Sequence, residues 1–288
     1  MERPGTQTEN KRPEYIDIKL MSFNSLSVTT SADDLSWDSR RESVFRMLKD
    51  VAPDLVGMQE CSVSAPQIVE AIPDYALYKM PFDPANPKAT QGPVILYNTK
   101  TCQLLDSGFF WLGPTPDIPC LAWDATDTHY RVCTWVKVKV LDGDKTVYLY
   151  DTHLPYKGDD HPQRLKSAEL IMSRMKANVE ESSICFLVGD LNQAHFQADG
   201  SLHANAYCLQ PFFDWMKEAR ETAVKTDRYG SHSAKAANAP VSTPNYDLDH
   251  IFYRNAQAVE FKTIINTYGV LYLSDHYPIT LRARIGQK

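Results

Sequence analysis

Six polar clusters recur in this sequence in one setting, each beside a short apolar run. Ile18-Lys19-Leu20-Met21-Ser22-Phe23 runs into Asn24, and Leu55-Val56-Gly57-Met58 runs into Gln59-Glu60. Tyr148-Leu149-Tyr150-Asp151-Thr152 delivers His153, and Phe186-Leu187-Val188-Gly189 delivers Asp190 and Asn192. Asp249 stands just before His250-Ile251-Phe252, and Leu271-Tyr272-Leu273 leads into Ser274-Asp275-His276. An acid after one apolar run is ordinarily a turn former or a helix cap. Six such ends carry more weight, because strand ends on one side of a sheet sandwich converge in space. Asn, Asp and Glu oxygens suit a hard Mg²⁺ ion, which keeps several waters and takes one or two carboxylates. Imidazoles without thiolates argue against a zinc cage, and the eight histidines show no HxxxH or HExxH spacing. A serine or cysteine hydrolase fails for want of a nucleophile motif such as GxSxG.

The elements that must position these residues are short. Apolar, β-branched or aromatic runs at 16–23, 55–58, 76–79, 94–97, 134–140, 147–151, 184–188, 250–253 and 279–283 have strand-like length and boundaries. Helical spacing appears at 37–51, ended by Pro53, and again at 64–72, 163–179 and 212–219. Strands and helices mix without strict βαβ alternation. That predicts a four-layer α/β/β/α sandwich, two mixed sheets face to face with helices outside. Segments 81–92 and 228–244 are rich in Pro, Ala, Ser and Asn and read as surface loops. Residues 1–14 read as a flexible tail, and 15–288 as a single catalytic domain.

Composition narrows the partners. A chain of 288 residues buries roughly 75% of the surface it exposes when unfolded, so a core needs no disulfide or structural metal. Thirty basic against thirty-six acidic side chains leave a net charge of −6, whereas a sequence-blind nucleic-acid binder carries a basic surplus. Long DNA is therefore disfavoured as the main partner, although a local basic rim is compatible with the total. The six cysteines form no CxxC pair and read as reduced, buried thiols. The first thirteen residues hold no apolar signal core, and no run approaches the ~20 apolar residues that span a bilayer. The expectation is a cytoplasmic protein with no stable membrane association; no protein partner is evident.

The motifs Met21-Ser22-Phe23-Asn24, Gly57-Met58-Gln59-Glu60, Asp151-Thr152-His153, Gly189-Asp190-Leu191-Asn192, Asp249-His250-Ile251-Phe252 and Ser274-Asp275-His276, in this order, resemble the endonuclease/exonuclease/phosphatase superfamily. The resemblance runs from about residue 16 to 284, and segments 37–41 and 109–116 further resemble its short, single-domain members. It implies that Glu60 is the principal metal ligand, helped by Asn24 and Asp275, with Mg²⁺ as cofactor and Mn²⁺ as a substitute. It implies that Asp190 takes a proton from the attacking water and that Asn192 orients the water or the phosphate. His153 and His276 would donate to phosphoryl oxygens, with Asp249 holding His276. Arg131 sits where deoxyribonuclease-like members place a phosphate-contacting arginine; a surface ion pair is the alternative. Some nucleases of the family carry an acid at the position of Leu26, so its absence favours one Mg²⁺.

Elementary chemistry agrees with this division of roles. Phosphoryl transfer asks a protein for positioning and charge stabilisation more than for covalent work. Two imidazoles near an anionic phosphate should both shift toward protonation, and an aspartate behind His276 should favour its charged form. The substrate expected first is a phosphodiester of nucleic acid or nucleotide. A small phosphorylated metabolite, sugar phosphate or phospholipid headgroup comes second, and a non-catalytic binding module on the same fold third. The segment from Tyr156 to Gln163, with Tyr156 and Lys157, would border the cleft as a substrate loop, or be a plain polar loop. Phe109, Phe110 and Trp111 read as packing rather than a base-stacking platform. Trp123 and Trp135 read as packing too, and Arg40, Arg41, Arg46 and Lys49 as the solvated face of a helix.

Overall fold

The computed structural model of the chain describes residues 15–27, 35–233 and 247–286. The expected tail at 1–14 lies outside them, as does the expected loop at 228–244 beyond Ser233. In chain order the elements are β1 (Tyr15–Asn24), α1 (Trp37–Val51), β2 (Leu55–Gln59), α2 (Ala65–Ala71), β3 (Tyr75–Tyr78), β4 (Val94–Asn98), β5 (Cys102–Trp111) and β6 (Val132–Val140). There follow β7 (Lys145–His153), α3 (His161–Asn178), β8 (Ile184–Asp190), α4 (Gln210–Phe213), β9 (Lys217–Glu218), α5 (Ala219–Thr222), β10 (Asp249–Arg254), β11 (Gln257–Thr263) and β12 (Ile279–Gly286).

Two six-stranded sheets result, ordered β11-β12-β1-β2-β4-β3 and β5-β6-β7-β8-β10-β9. Each has one parallel pair near its middle, β1 with β2 and β7 with β8, in otherwise antiparallel surroundings. The sheets face each other across a core that includes Ile18, Leu20, Leu55, Val136, Leu149, Phe186, Ile251 and Leu281. Burying a side chain of this size contributes about 1.5–3 kcal/mol. On the outer face of the first sheet, Val44, Met47 and Leu48 of α1 and Ile68 of α2 pack on Met21, Val56 and Leu96. On the outer face of the second, Ala168, Ile171, Met172 and Met175 of α3 pack on Tyr150, Cys185 and Leu187. This is the expected four-layer sandwich. Helix α1 starts where Ser36 Oγ accepts the Ser39 N–H, and it stops at Ala52, which adopts the left-handed conformation just before Pro53.

Strands β5, β9 and β11 escape the sequence pattern because each is an edge strand. Strand β5 buries only Cys102, Phe110 and Trp111 and carries a bulge between Leu104 and Asp106, so it shows no clean alternation. The helix expected over 212–219 resolves into the single turn α4, strand β9 and the turn α5, because Glu218 pairs with Phe252 on the sheet edge. The apolar run 271–273 is not a strand. Leu273 is buried and Leu271 exposed within an irregular loop, and the adjacent edge of β1 is taken by β12.

Candidate active site

The carboxyl ends of both parallel pairs open on one rim. In the first sheet Asn24 lies opposite Gln59, with Glu60 next in the chain. In the second, His153 lies opposite Asp190, and Asp249 at the start of β10 pairs with Asp190 on its other side. The loop into β12 supplies Ser274, Asp275 and His276. Three residues here have left-handed backbones, Leu26 (φ 59°), Glu60 (φ 60°) and Asn192 (φ 50°), each costing on the order of 1–3 kcal/mol and held by the surrounding structure. Beneath the rim the sheets come close. A Cβ on Gly57 would stand 2.3 Å from Val188 Cγ2 and 2.7 Å from Asp151 Cγ. Asp151 reaches across from β7 to accept from Gln59 Nε2 at 2.6 Å, joining the two sheets one residue from Glu60 and two from His153.

Asp190 is the hub. Its Oδ2 accepts from Asn24 Nδ2 (3.0 Å) and faces His153 Nε2 at 3.4 Å and His276 Nε2 at 3.6 Å. Its Oδ1 accepts the Asn192 N–H at 2.9 Å. Asn24 also donates to Glu60 Oε1 (3.1 Å), while its own Oδ1 accepts the Leu26 N–H. Asn24 thus ties the two carboxylates together through its amide nitrogen. Asn192 is anchored by its Nδ2 on Leu154 O at 3.0 Å. His276 Nδ1 meets Asp249 Oδ2 at 2.7 Å, which fixes the ring.

Protonation follows from these neighbours. Burial raises the Asp190 carboxyl to about 6, a rise enlarged by Asp249 and opposed by His276, Asn24 and the Asn192 N–H. Burial works against charge on His276 as well, but Asp249 and Asp190 outweigh it and raise the ring to about 10. His153 moves the other way: burial, then the charges of Arg131, His276 and His129, hold it well below its ordinary value. The shift of both imidazoles toward protonation is expected beside a bound phosphate; before any phosphate binds, the two rings differ. His276 is pushed toward its charged form by Asp249 and Asp190, whereas burial and the Arg131 guanidinium push His153 toward its neutral form.

Glu60 is exposed and Asp275 half-buried, so both face the open side of the cleft, and the Ser27 N–H donates to Glu60 Oε2 at 3.0 Å. Behind them stands Arg40, which is fully buried, contrary to the solvated face expected of it. Its guanidinium donates to Leu35 O (2.8 Å), Ser25 O (2.7 Å), Leu273 O (2.5 Å) and Leu26 O (3.2 Å). Burial lowers its pKa to about 10, against the opposing fields of Asp275 and Glu60. The arginine thereby clamps the loop after β1 to the loop before β12. Ligand atoms of Asp190, Asp249 and His276 lie within 4.8 Å of one another, as do those of His232, Asp275 and His276. The first group, two carboxylates and one imidazole, fits a hard divalent cation, while the second offers two imidazoles and one carboxylate.

Arg131 is in an ion pair, but a buried one. Its Nε and Nη2 meet Asp127 Oδ2 at 2.7 and 2.6 Å, and Asp127 also accepts the His129 N–H. The half-exposed Tyr156 ring lies 4.5 Å from Lys157 Nζ and 5.9 Å from the Arg131 guanidinium, with His129 edge-on at 5.8 Å. The loop from Tyr156 is braced on both sides. Arg164 donates to Pro155 O and Lys157 O, and Asp160 accepts the Thr126 and Asp127 N–H groups. Sequence reasoning passed over Asp127, the Gln59–Asp151 contact and His232, and misplaced Arg40. None has a clear local signature: apart from His129 beside Asp127, each is defined by partners at least four positions away, and most by partners far along the chain.

A family model described as the endonuclease/exonuclease/phosphatase family matches residues 21–276. Uncharacterized protein L388 of Acanthamoeba polyphaga mimivirus is 23% identical over 259 residues, 85% of this chain and 91% of that protein. The mannosyl-6-phosphatase Bt3783 of Bacteroides thetaiotaomicron superposes with a TM-score of 0.78 at 23% identity, over 92% of this chain and 99% of that one. An endonuclease/exonuclease/phosphatase from Bacteroides vulgatus superposes with a TM-score of 0.77 at 26% identity, over 94% of this chain and all of that one.

Proposed function

The chain belongs to the endonuclease/exonuclease/phosphatase family, and from that premise we propose that it hydrolyses a phosphate ester by in-line attack of a water that Asp190 deprotonates. The observation that carries this reading is the convergence on Asp190 Oδ2 of Asn24 at 3.0 Å, His153 at 3.4 Å and His276 at 3.6 Å, from both sheets. With its pKa near 6, Asp190 is a carboxylate at neutral pH and basic enough to accept a proton as the water oxygen bonds to phosphorus. Asn192, pinned by its amide nitrogen to Leu154 O, keeps its side-chain oxygen for orienting that water. His276, charged through Asp249, donates to a phosphoryl oxygen. His153, neutral, donates one N–H to another. As the new P–O bond forms, the bond to the leaving oxygen breaks; that oxygen takes a proton from solvent and departs as the alcohol, and Asp190 returns its proton to solvent.

Glu60 and Asp275, with Asn24 beside them, would hold Mg²⁺, or Mn²⁺ in its place. Bound there, the cation would polarise a phosphoryl oxygen and stabilise the leaving oxygen. Tyr156, Lys157 and Arg131 would line the side of the cleft that receives the substrate. The net charge of −6 and the fold shared with a named mannosyl-6-phosphatase support a small phosphate ester ahead of long nucleic acid. The test is hydrolysis of p-nitrophenyl phosphate and bis(p-nitrophenyl) phosphate with Mg²⁺ or Mn²⁺. Turnover should stop with EDTA, return with metal and be abolished in a folded Asp190→Ala variant. Turnover by Asp190→Ala at the wild-type rate would remove Asp190 from the role.

A further inference from the structure

The rim holds a third imidazole, His232, in a segment that reads as surface loop. Residues 231–233 form a short bridge against the loop that carries Asp275 and His276. Tyr277 N donates to Ser231 O at 2.6 Å, His232 pairs with His276, and Ser233 N and Oγ donate to Asp275 O at 2.8 and 2.9 Å. Ser231 Oγ in turn accepts the Leu248 and Asp249 N–H groups at 3.1 and 3.0 Å. Side chains of extended residues alternate between faces. Ser231 and Ser233 are both buried, whereas His232 projects the other way and is half-buried. Its ring centroid lies 4.7 Å from that of His276, and a ring nitrogen lies within 4.8 Å of both a His276 nitrogen and an Asp275 carboxylate oxygen. His276 faces Asp249 and Asp190, and His153 faces Asp190. Of these three imidazoles His276 is buried and the other two are half-buried, and His232 is the one next to Asp275.

We propose that His232 contacts a non-bridging oxygen of the substrate phosphate and makes the site selective for phosphomonoesters over phosphodiesters. The inference rests on the hydrolase reading above. A monoester phosphate carries close to two negative charges at neutral pH and presents three terminal acceptor oxygens. A diester carries one charge and two terminal oxygens. Its third oxygen bears a carbon substituent, accepts poorly, and has to leave the cleft through its open side. A fixed N–H donor on that side therefore favours the ester with a third free oxygen and crowds the other. The Ser231 and Ser233 bonds use backbone and serine groups only, so the bridge can persist when the imidazole is changed.

The experiment compares kcat/KM on p-nitrophenyl phosphate and bis(p-nitrophenyl) phosphate for wild type, His232→Ala and His232→Gln, with inorganic phosphate affinity by calorimetry and Tm for each. Wild type should prefer the monoester. His232→Ala should lose at least tenfold more on the monoester than on the diester and bind inorganic phosphate more weakly, and His232→Gln should recover part of both. A wild type that prefers the diester overturns the proposal, as does an equal loss on both esters accompanied by a fall in Tm, the result of a purely structural bridge. Should wild type hydrolyse neither ester, the hydrolase reading falls. Phosphate affinity then decides for His232 alone: weaker in His232→Ala upholds the contact, unchanged overturns it.

Discussion

Replacing Arg40 with methionine keeps the length of the side chain and removes its charge and every donor. Four carbonyls then lose their partner: Leu35 O, Ser25 O, Leu273 O and Leu26 O. Hydrogen bonds from a charged group contribute about 1.5–3 kcal/mol each, so the gross contribution is about 6–12 kcal/mol. Against it stands the cost of burying the cation. The fall of its pKa from 12.5 to about 10 corresponds to about 3 kcal/mol at 1.36 kcal/mol per unit. A net loss of at least about 3 kcal/mol follows, at the lower end of what breaking a buried charged contact costs. With an unfolding entropy of about 2.1 cal/mol/K per residue, the 288-residue chain should lose about 5 °C in Tm. Guanidinium and thermal melts followed by circular dichroism measure this directly. Because the lost bonds span both rim loops, half-saturation by Mn²⁺ in the aryl ester assay should also move to higher concentration. A variant within about 1 kcal/mol of wild type would refute the reasoning, since the four carbonyls would then have been satisfied without the arginine.

Among the described residues no cation pairs with the buried Asp151, and burial holds its carboxyl well above the ordinary range despite the bonds from Gln59, Thr152 and Met58. The native state therefore binds a proton that the unfolded state releases near pH 4, and wild-type stability falls as pH rises above that point. Asp151→Asn lacks this slope and should gain stability relative to wild type from pH 4 to 7 in denaturant melts; a gap that shrinks over that range would contradict it. Gly57→Ala, whose new methyl would meet Val188 and Asp151 across the sandwich, should cost about 1–3 kcal/mol by the same melts. Asp249→Asn should keep the fold and lower kcat about 10²–10⁴-fold in the aryl ester assay, because His276 loses the carboxylate that orients and charges it.

Much of this could be read from the chain. The motif residues at 24, 60, 153, 190, 192, 249, 275 and 276 stand at the ends of elements whose central strands have unmistakable apolar runs, and strands from both sheets bring them to one rim. What stayed hidden depends on distant partners. Arg40 looks like any arginine on a helix, and only the return of Leu273 beside Ser25 buries it. His232 looks like loop because its pairing partner is His276, 44 positions on, and a single bridge leaves no periodic trace. The states of His153 and His276 diverge because Asp249 serves one ring and Arg131 opposes charge on the other. Such asymmetry lies in the neighbours of each histidine, not in the histidines themselves.

The placement of β12 between β1 and β11 has a consequence for how the protein comes into being. Strand β1 is made well before Ile279–Gly286, and one edge of it stays unpaired until that strand exists. Until then the nascent chain exposes a long, apolar strand edge, the kind of template that invites wrong pairing and chaperone attention. Asp275 and His276 lie just before β12 in the chain, so the cleft stays incomplete until that segment has been made. A chain released before that point would keep an open strand edge and lack part of the rim.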